Sequence, residues 1–178
     1  MDNPRHRDPL LDTARIVIAI LKVLFAFGAA ALAVGGVVLL FNRTHVEENL
    51  LPAAAGHVGP VMAAIIAALL LGIVAFALVF RFVQLLGRII GTVREGDPFI
   101  AINADRLARM GWITLIIQGV AIPMAVLATF LRSQFPAGAV HFQSIFSLNG
   151  LVLALVLFIL ARVFRQGAEM REDLEGTV

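Results

Sequence analysis

The sequence predicts an all-α integral membrane protein, a bundle of four spanning helices with both chain ends on the same side of the bilayer. Three observations predict it: an apolar excess too large for one small core, four apolar stretches of bilayer length, and a lopsided distribution of arginine. Of 178 residues, 60% are apolar, and the mean hydropathy is +0.94. Soluble domains run about 45–50% apolar. A chain this short leaves much of its surface outside any core, so the surplus has to face a solvent other than water. The length suits one compact membrane unit, residues 1–178.

A hydrocarbon layer of about 30 Å takes roughly 20 apolar residues in a helix. The first span covers about 16–41 and is interrupted only by Lys22. The apolar run continues well past the small-residue stretch Ala31-Leu32-Ala33, which is too long for a cleaved signal segment. The second span covers about 61–86, the third 112–131 and the fourth 145–165. The third contains Gln118 and Pro123, and the fourth carries Ser147 and Asn149 near its start. A single apolar segment in lipid can satisfy its backbone only as a helix, and none of these runs shows the alternation of a barrel strand.

Orientation follows from counting Lys and Arg on each side. With the N-terminus inside, Arg5, Arg7, Arg15, Lys22, Arg81, Arg88, Arg94, Arg106, Arg109, Arg162, Arg165 and Arg171 lie inside. Only Arg43 and Arg132 lie outside. Twelve against two predicts both termini in the cytoplasm, with outer loops at about 42–60 and 132–144.

The inner face carries the most pattern. Beyond Phe80, Arg81, Gln84, Arg88 and Thr92 share one helical face, and Phe82, Leu85, Leu86, Ile89 and Val93 lie away from it. Beyond Ala161, Arg162, Arg165, Gln166, Glu169 and Asp173 form a polar stripe that ends near Gly176. Both helices therefore extend beyond the hydrocarbon. Leu86-Gly87-Arg88-Ile89-Ile90 is locally like Leu160-Ala161-Arg162-Val163-Phe164. Two readings stand: a single unit, or a duplicated helical hairpin (16–93 and 98–175). In Gly96-Asp97-Pro98-Phe99, Gly allows a turn, Asp is placed to cap the next helix, and Pro suits a first helical position. From 98 to 110 an amphipathic cytoplasmic helix is expected at the headgroups, turning or joining at Gly111-Trp112 into the third span.

Gly96-Asp97-Pro98-Phe99, followed by Asn103, Arg106-Leu107 and Gly111-Trp112, resembles a bacterial family of small membrane proteins, domain-of-unknown-function family 2975. The stretch from Val163 to Val178 looks like that family's C-terminal signature, with its apolar-Phe, Gly and acidic-Leu positions. The resemblance extends from the first span to the end. It implies a four-helix protein of the bacterial inner membrane with no assigned activity, encoded near a small helix-turn-helix regulator of the Cro/repressor type. This C-terminus is more acidic and arginine-rich than many family versions.

Candidate chemistry is sparse. Cysteine is absent, which excludes disulfides and thiol chemistry. His45, His57 and His141 fall on the outer side, with Glu47 and Glu48 near the first, but no pair has metal-ligand spacing. No phosphate loop, metalloprotease helix or nucleophile elbow is present, so no enzymatic activity and no cofactor or metal is expected. Gln118 and Pro123 are the intramembrane polar and kinking features, read first as helix packing. The small-residue series Ala64/Ala68/Gly72 and Gly28/Gly35 suit close helix approach, within the bundle or in a homo-oligomer. Asp97, Phe99, Asn103, Arg106, Arg162, Arg165, Glu169 and Asp173 form the expected partner-binding face. The leading expectation is an interaction or signalling protein that binds a cytoplasmic helix-turn-helix regulator without touching nucleic acid itself. A transport or channel component, or an accessory subunit of a membrane complex, is the alternative.

Overall fold

The computed structural model describes residues 9–49, 58–135 and 147–175. Among them the chain is helical, with helices α1 (Pro9–Phe41), α2 (Arg43–Asn49), α3 (Val58–Arg94), α4 (Ala101–Gln134) and α5 (Leu148–Glu175). Helices α1, α3, α4 and α5 are each long and apolar enough to cross a membrane. In the most apolar stretches of α1 and α3, only 6% of residues are buried. Phe27, Val34, Ile122, Val126 and Ile159 are among the large apolar side chains left exposed. A water-soluble protein does not leave continuous apolar surface on this scale, and lipid is the solvent that accepts it.

The bundle is open. Helix α3 packs on α1 and on α4, α4 packs on α5, and α1 has its extensive contacts with α3 alone. The side chains explain the pairing. Gly28 lets α1 approach the Phe76 ring, and Gly72 lets α3 approach Leu32. The Phe25 and Phe76 rings lie 5.9 Å apart. Gly35, by contrast, has open space around it. The small-residue series are therefore used within the bundle at Gly28, Ala64 and Gly72.

Two apolar clusters hold the ends. Val61, Met62, Ala64 and Leu131 join α3 to α4 at one end, with Leu39 and Val46 packed against them. Val46 belongs to α2, a two-turn helix inside the stretch expected to be an outer loop. At the other end Ile89, Leu107, Met110, Leu157 and Ala161 join α3, α4 and α5. This second end contains the α3–α4 turn and most of the charge, and is called the charged end below.

The α3–α4 turn closes as a Schellman motif. Gly96 has a φ of +85°, its N–H donates to the Val93 carbonyl (3.1 Å), and the Asp97 N–H donates to the Thr92 carbonyl (3.1 Å). This pair of bonds satisfies carbonyls that a helix end otherwise leaves open, and glycine adopts the left-handed conformation at no steric cost. Two details differ from the sequence expectation. Asp97 does not cap the next helix, and Pro98 is not its first residue. Helix α4 begins at Ala101 after Ile100, which makes no side-chain cap. The 98–110 segment joins the third span directly. Asn103, Ala104, Leu107 and Met110 are buried as the first turns of α4, with Leu107 and Met110 covered by α3 and α5, while Ile102 stays exposed.

Replacing Gly28 with Val should strain its contact with Phe76 and cost about 1–3 kcal/mol. Gly35→Ala, in open space, should be neutral or slightly stabilising. Thermal unfolding of the two variants in the same detergent checks the difference.

Candidate functional site

At the charged end the organising residue is Asn103, which is fully buried. Its Nδ2 donates to the Thr92 hydroxyl (2.7 Å) and to the Pro98 carbonyl (2.9 Å). Its Oδ1 accepts from Arg106 Nη1 (2.9 Å), which also donates to the Arg88 carbonyl (3.2 Å). The Thr92 hydroxyl donates in turn to the Ile89 carbonyl (2.7 Å). One amide thus ties the last turns of α3, the connecting turn and the first turn of α4 together. Such a fully used amide is favourable where it is buried and costly when any partner is lost.

Helix α5 is fastened to this unit by ion pairs and by aromatic packing. Arg165 Nη2 meets Asp105 Oδ1 at 2.7 Å, and Arg171 pairs with Asp97. The Phe99 ring stacks 5.1 Å from Phe164 and lies against Gly167, where a Cβ would come within 2.9 Å of it. On the other flank Arg94 pairs with Asp12 at 3.4 Å, tying α3 to α1. All six charged side chains are more than a third exposed. Such pairs are worth about 0–1 kcal/mol each, so they set register more than stability.

Five of the expected partner-binding residues therefore have structural duties: Asp97, Phe99, Asn103, Arg106 and Arg165 brace the charged end. Arg162 and Glu169 are different. Both are exposed and, with Arg165, Gln166, Phe158 and Ala108, line a shallow groove of about 380 Å³ between α4 and α5. Asp173 is exposed further along α5. Sequence reading did not anticipate the role of Thr92 as acceptor for Asn103, nor the partners Asp105 and Arg171. Local periodicity places Thr92 only on a polar face, and pairs sixty or more residues apart leave no mark on it.

The intramembrane residues sit elsewhere. Gln118 is buried, and its Oε1 accepts from the backbone N–H of Ser147 (3.2 Å). Ser147 Oγ accepts from the Gly150 N–H (3.3 Å). Gly150 is required here, because a Cβ would collide with the Gln118 side-chain amide. Gln118 and Ser147 together serve N–H groups at the start of α5, a function supplied elsewhere by water. Helix α5 starts level with Gln118, about 24 Å short of the far end of α4 at Gln134. Pro123 and Gly119 are exposed on α4, and Gly119 has open space around it. Trp112 is exposed and meets Phe158 edge-on at 5.5 Å. Among the described residues no three His, Asp or Glu side chains gather as metal ligands. His45 is described, whereas His57, His141 and Gly176 lie outside the described residues.

These features define a multi-pass helical membrane protein whose charged side chains gather mainly at one end. The chain belongs to the family of proteins of unknown function DUF2975, whose model matches residues 42–178. The match begins just past α1 and takes in the whole α3–α4 turn and the braced part of α5. No curated protein and no solved structure matches the chain.

Asn103→Ala should orphan its partners and cost about 1–3 kcal/mol, and Gln118→Leu should cost about as much by stripping the Ser147 N–H. Thermal unfolding in detergent measures both. Arg109→Gln, on an exposed position, should change little.

Proposed function

We propose that this protein is a non-enzymatic interaction protein of the bacterial inner membrane, with both termini in the cytoplasm. In this reading its charged end docks a soluble regulatory partner. The observation that carries it is the division of labour at that end. Asn103, Phe99 and the two ion pairs to α5 hold a fixed platform, and Arg162, Gln166 and Glu169 are left facing outward over the α4–α5 groove. Charge of both signs on a braced surface suits a partner with complementary charge in a defined register. The twelve-to-two distribution of Lys and Arg supports a cytoplasmic position for this face. A small helix-turn-helix regulator is the candidate partner. The gene neighbourhood implied by the family resemblance supports that choice, and nucleic acid would be contacted by the regulator alone. An accessory role in a larger membrane complex, or assembly into a homo-oligomer, would use the same kind of surface.

A transport or channel role draws on Gln118 and Pro123. The Gln118 oxygen is committed to the Ser147 N–H, and Pro123 faces away from the bundle. Neither favours a solute path, so interaction is the better reading.

Two measurements test the proposal. A C-terminal tag should resist protease in intact spheroplasts and be cut after permeabilisation; cleavage in intact spheroplasts would refute the topology. The regulator should co-purify with the gently solubilised protein. Arg162→Glu combined with Glu169→Lys should reduce its recovery on the order of tenfold, equivalent to about 1.4 kcal/mol, without lowering thermal stability. Unchanged recovery would remove the groove from the docking surface.

A further inference from the structure

Where α1 meets α3 at the charged end, the seam between the helices carries cations among its apolar side chains. Leu11, Arg15, Ile18 and Lys22 follow one another at helical spacing along the face of α1 that meets α3. Opposite them α3 presents Gly87, Ile90, Gly91 and Arg94. The two glycines leave room. A Cβ at Gly87 would lie 3.1 Å from Ile18 and 3.4 Å from Lys22 Nζ, while Gly91 has nothing within 4 Å. The result is a groove of about 510 Å³ lined by Arg15, Lys22, Arg94 and Glu95 together with apolar groups.

The charges in the groove are unequally compensated. Arg94 is paired with Asp12. Among the described residues neither Arg15 nor Lys22 has an acidic partner. Lys22 is also half-buried, and a lone ammonium at the edge of an apolar span is expensive unless a counter-charge or water reaches it. Its depth is fixed by two observations. The apolar run Val23–Phe41 rises about 28 Å, close to the thickness of the hydrocarbon layer. The contacts of Gly28 with Phe76 and of Gly87 with Ile18 bring Lys22 near the level of Arg81, the first charge beyond the apolar part of α3. The groove therefore lies at the headgroup layer. Below it, Ala19 continues into an apolar furrow with Ile20, Val23, Leu24 and Phe27 on the lipid-facing side of α1.

We propose that this α1–α3 groove is a binding site for an anionic phospholipid, with the headgroup phosphate between Arg15 and Lys22 and an acyl chain along the Ala19–Phe27 furrow. The shared chemistry is a phosphate monoanion, and the apolar furrow beside the cations selects the lipid over free phosphate. The site is separate from the α4–α5 groove and does not depend on the partner reading. Occupation supplies the missing counter-charge for Lys22 and fastens α1, whose extensive contacts are otherwise with α3 alone.

The test is native mass spectrometry of the detergent-purified full chain, titrated with phosphatidylglycerol or phosphatidylcholine, with and without inorganic phosphate. One phosphatidylglycerol is expected to be retained in preference to phosphatidylcholine. Arg15→Gln with Lys22→Gln should weaken retention roughly thirtyfold, from about 1 kcal/mol per basic residue at an anionic surface. Gly91→Leu, which fills the groove without altering charge, should weaken it too, and Arg109→Gln with Arg88→Gln, at exposed positions outside the groove, should not. Equal loss in the Arg109/Arg88 control would reduce the effect to net charge and overturn the site. So would equal retention of phosphatidylcholine, or displacement of the lipid by millimolar phosphate.

Discussion

Everything in this molecule follows from a solvent that can hydrate neither a peptide group nor a charge. Inside lipid, each backbone N–H and carbonyl has to find its partner within the chain, which leaves long helices as the solution. The same solvent removes the penalty for exposed leucine and valine. That is why α1 needs only one neighbour, and why an open row of helices persists where a water-soluble protein would have to close. Packing specificity then rests on a few close approaches, at Gly28, Gly72 and Gly150, and on a few polar bonds that lipid makes strong by offering no substitute.

The polar bonds are unevenly placed. In the membrane interior they are spent on the start of α5, through Gln118 and Ser147. At the charged end they converge on Asn103, whose buried amide does for the α3–α4 connection what an apolar core does for a soluble turn. The exposed ion pairs around it add little energy individually. Their value is in fixing where α5 sits against α4, and so in fixing which of its charges are turned outward.

The four helices were readable because their signal is length and composition, which tertiary contacts do not alter. The charged end was readable as a surface but not as a mechanism. Sequence periodicity put Asn103, Arg106 and Arg165 on polar faces, and the structure turns all three to internal bonding. Asp97 carried the local signature of a helix cap, yet its carboxylate is taken by Arg171, seventy-four positions later. Gly96 behaved as local chemistry predicts because a helix terminator needs only its immediate neighbours. Lys22 was visible as an interruption in an apolar run. That its ammonium reaches across a seam to Gly87 depends on the antiparallel register of α1 and α3, which no single stretch of sequence encodes.

The deep start of α5 has a mechanical consequence. Sliding this helix along its axis by one turn, about 5.4 Å, would strip the Ser147 N–H from Gln118 in a region with no water to replace it. The other end resists the same slide by different means, since Leu157 and Ala161 sit in an apolar cluster with α3 and α4 and Phe164 packs on Phe99. The rod is thus pinned at foot and head, and the charges on its outward face keep a fixed height relative to α4.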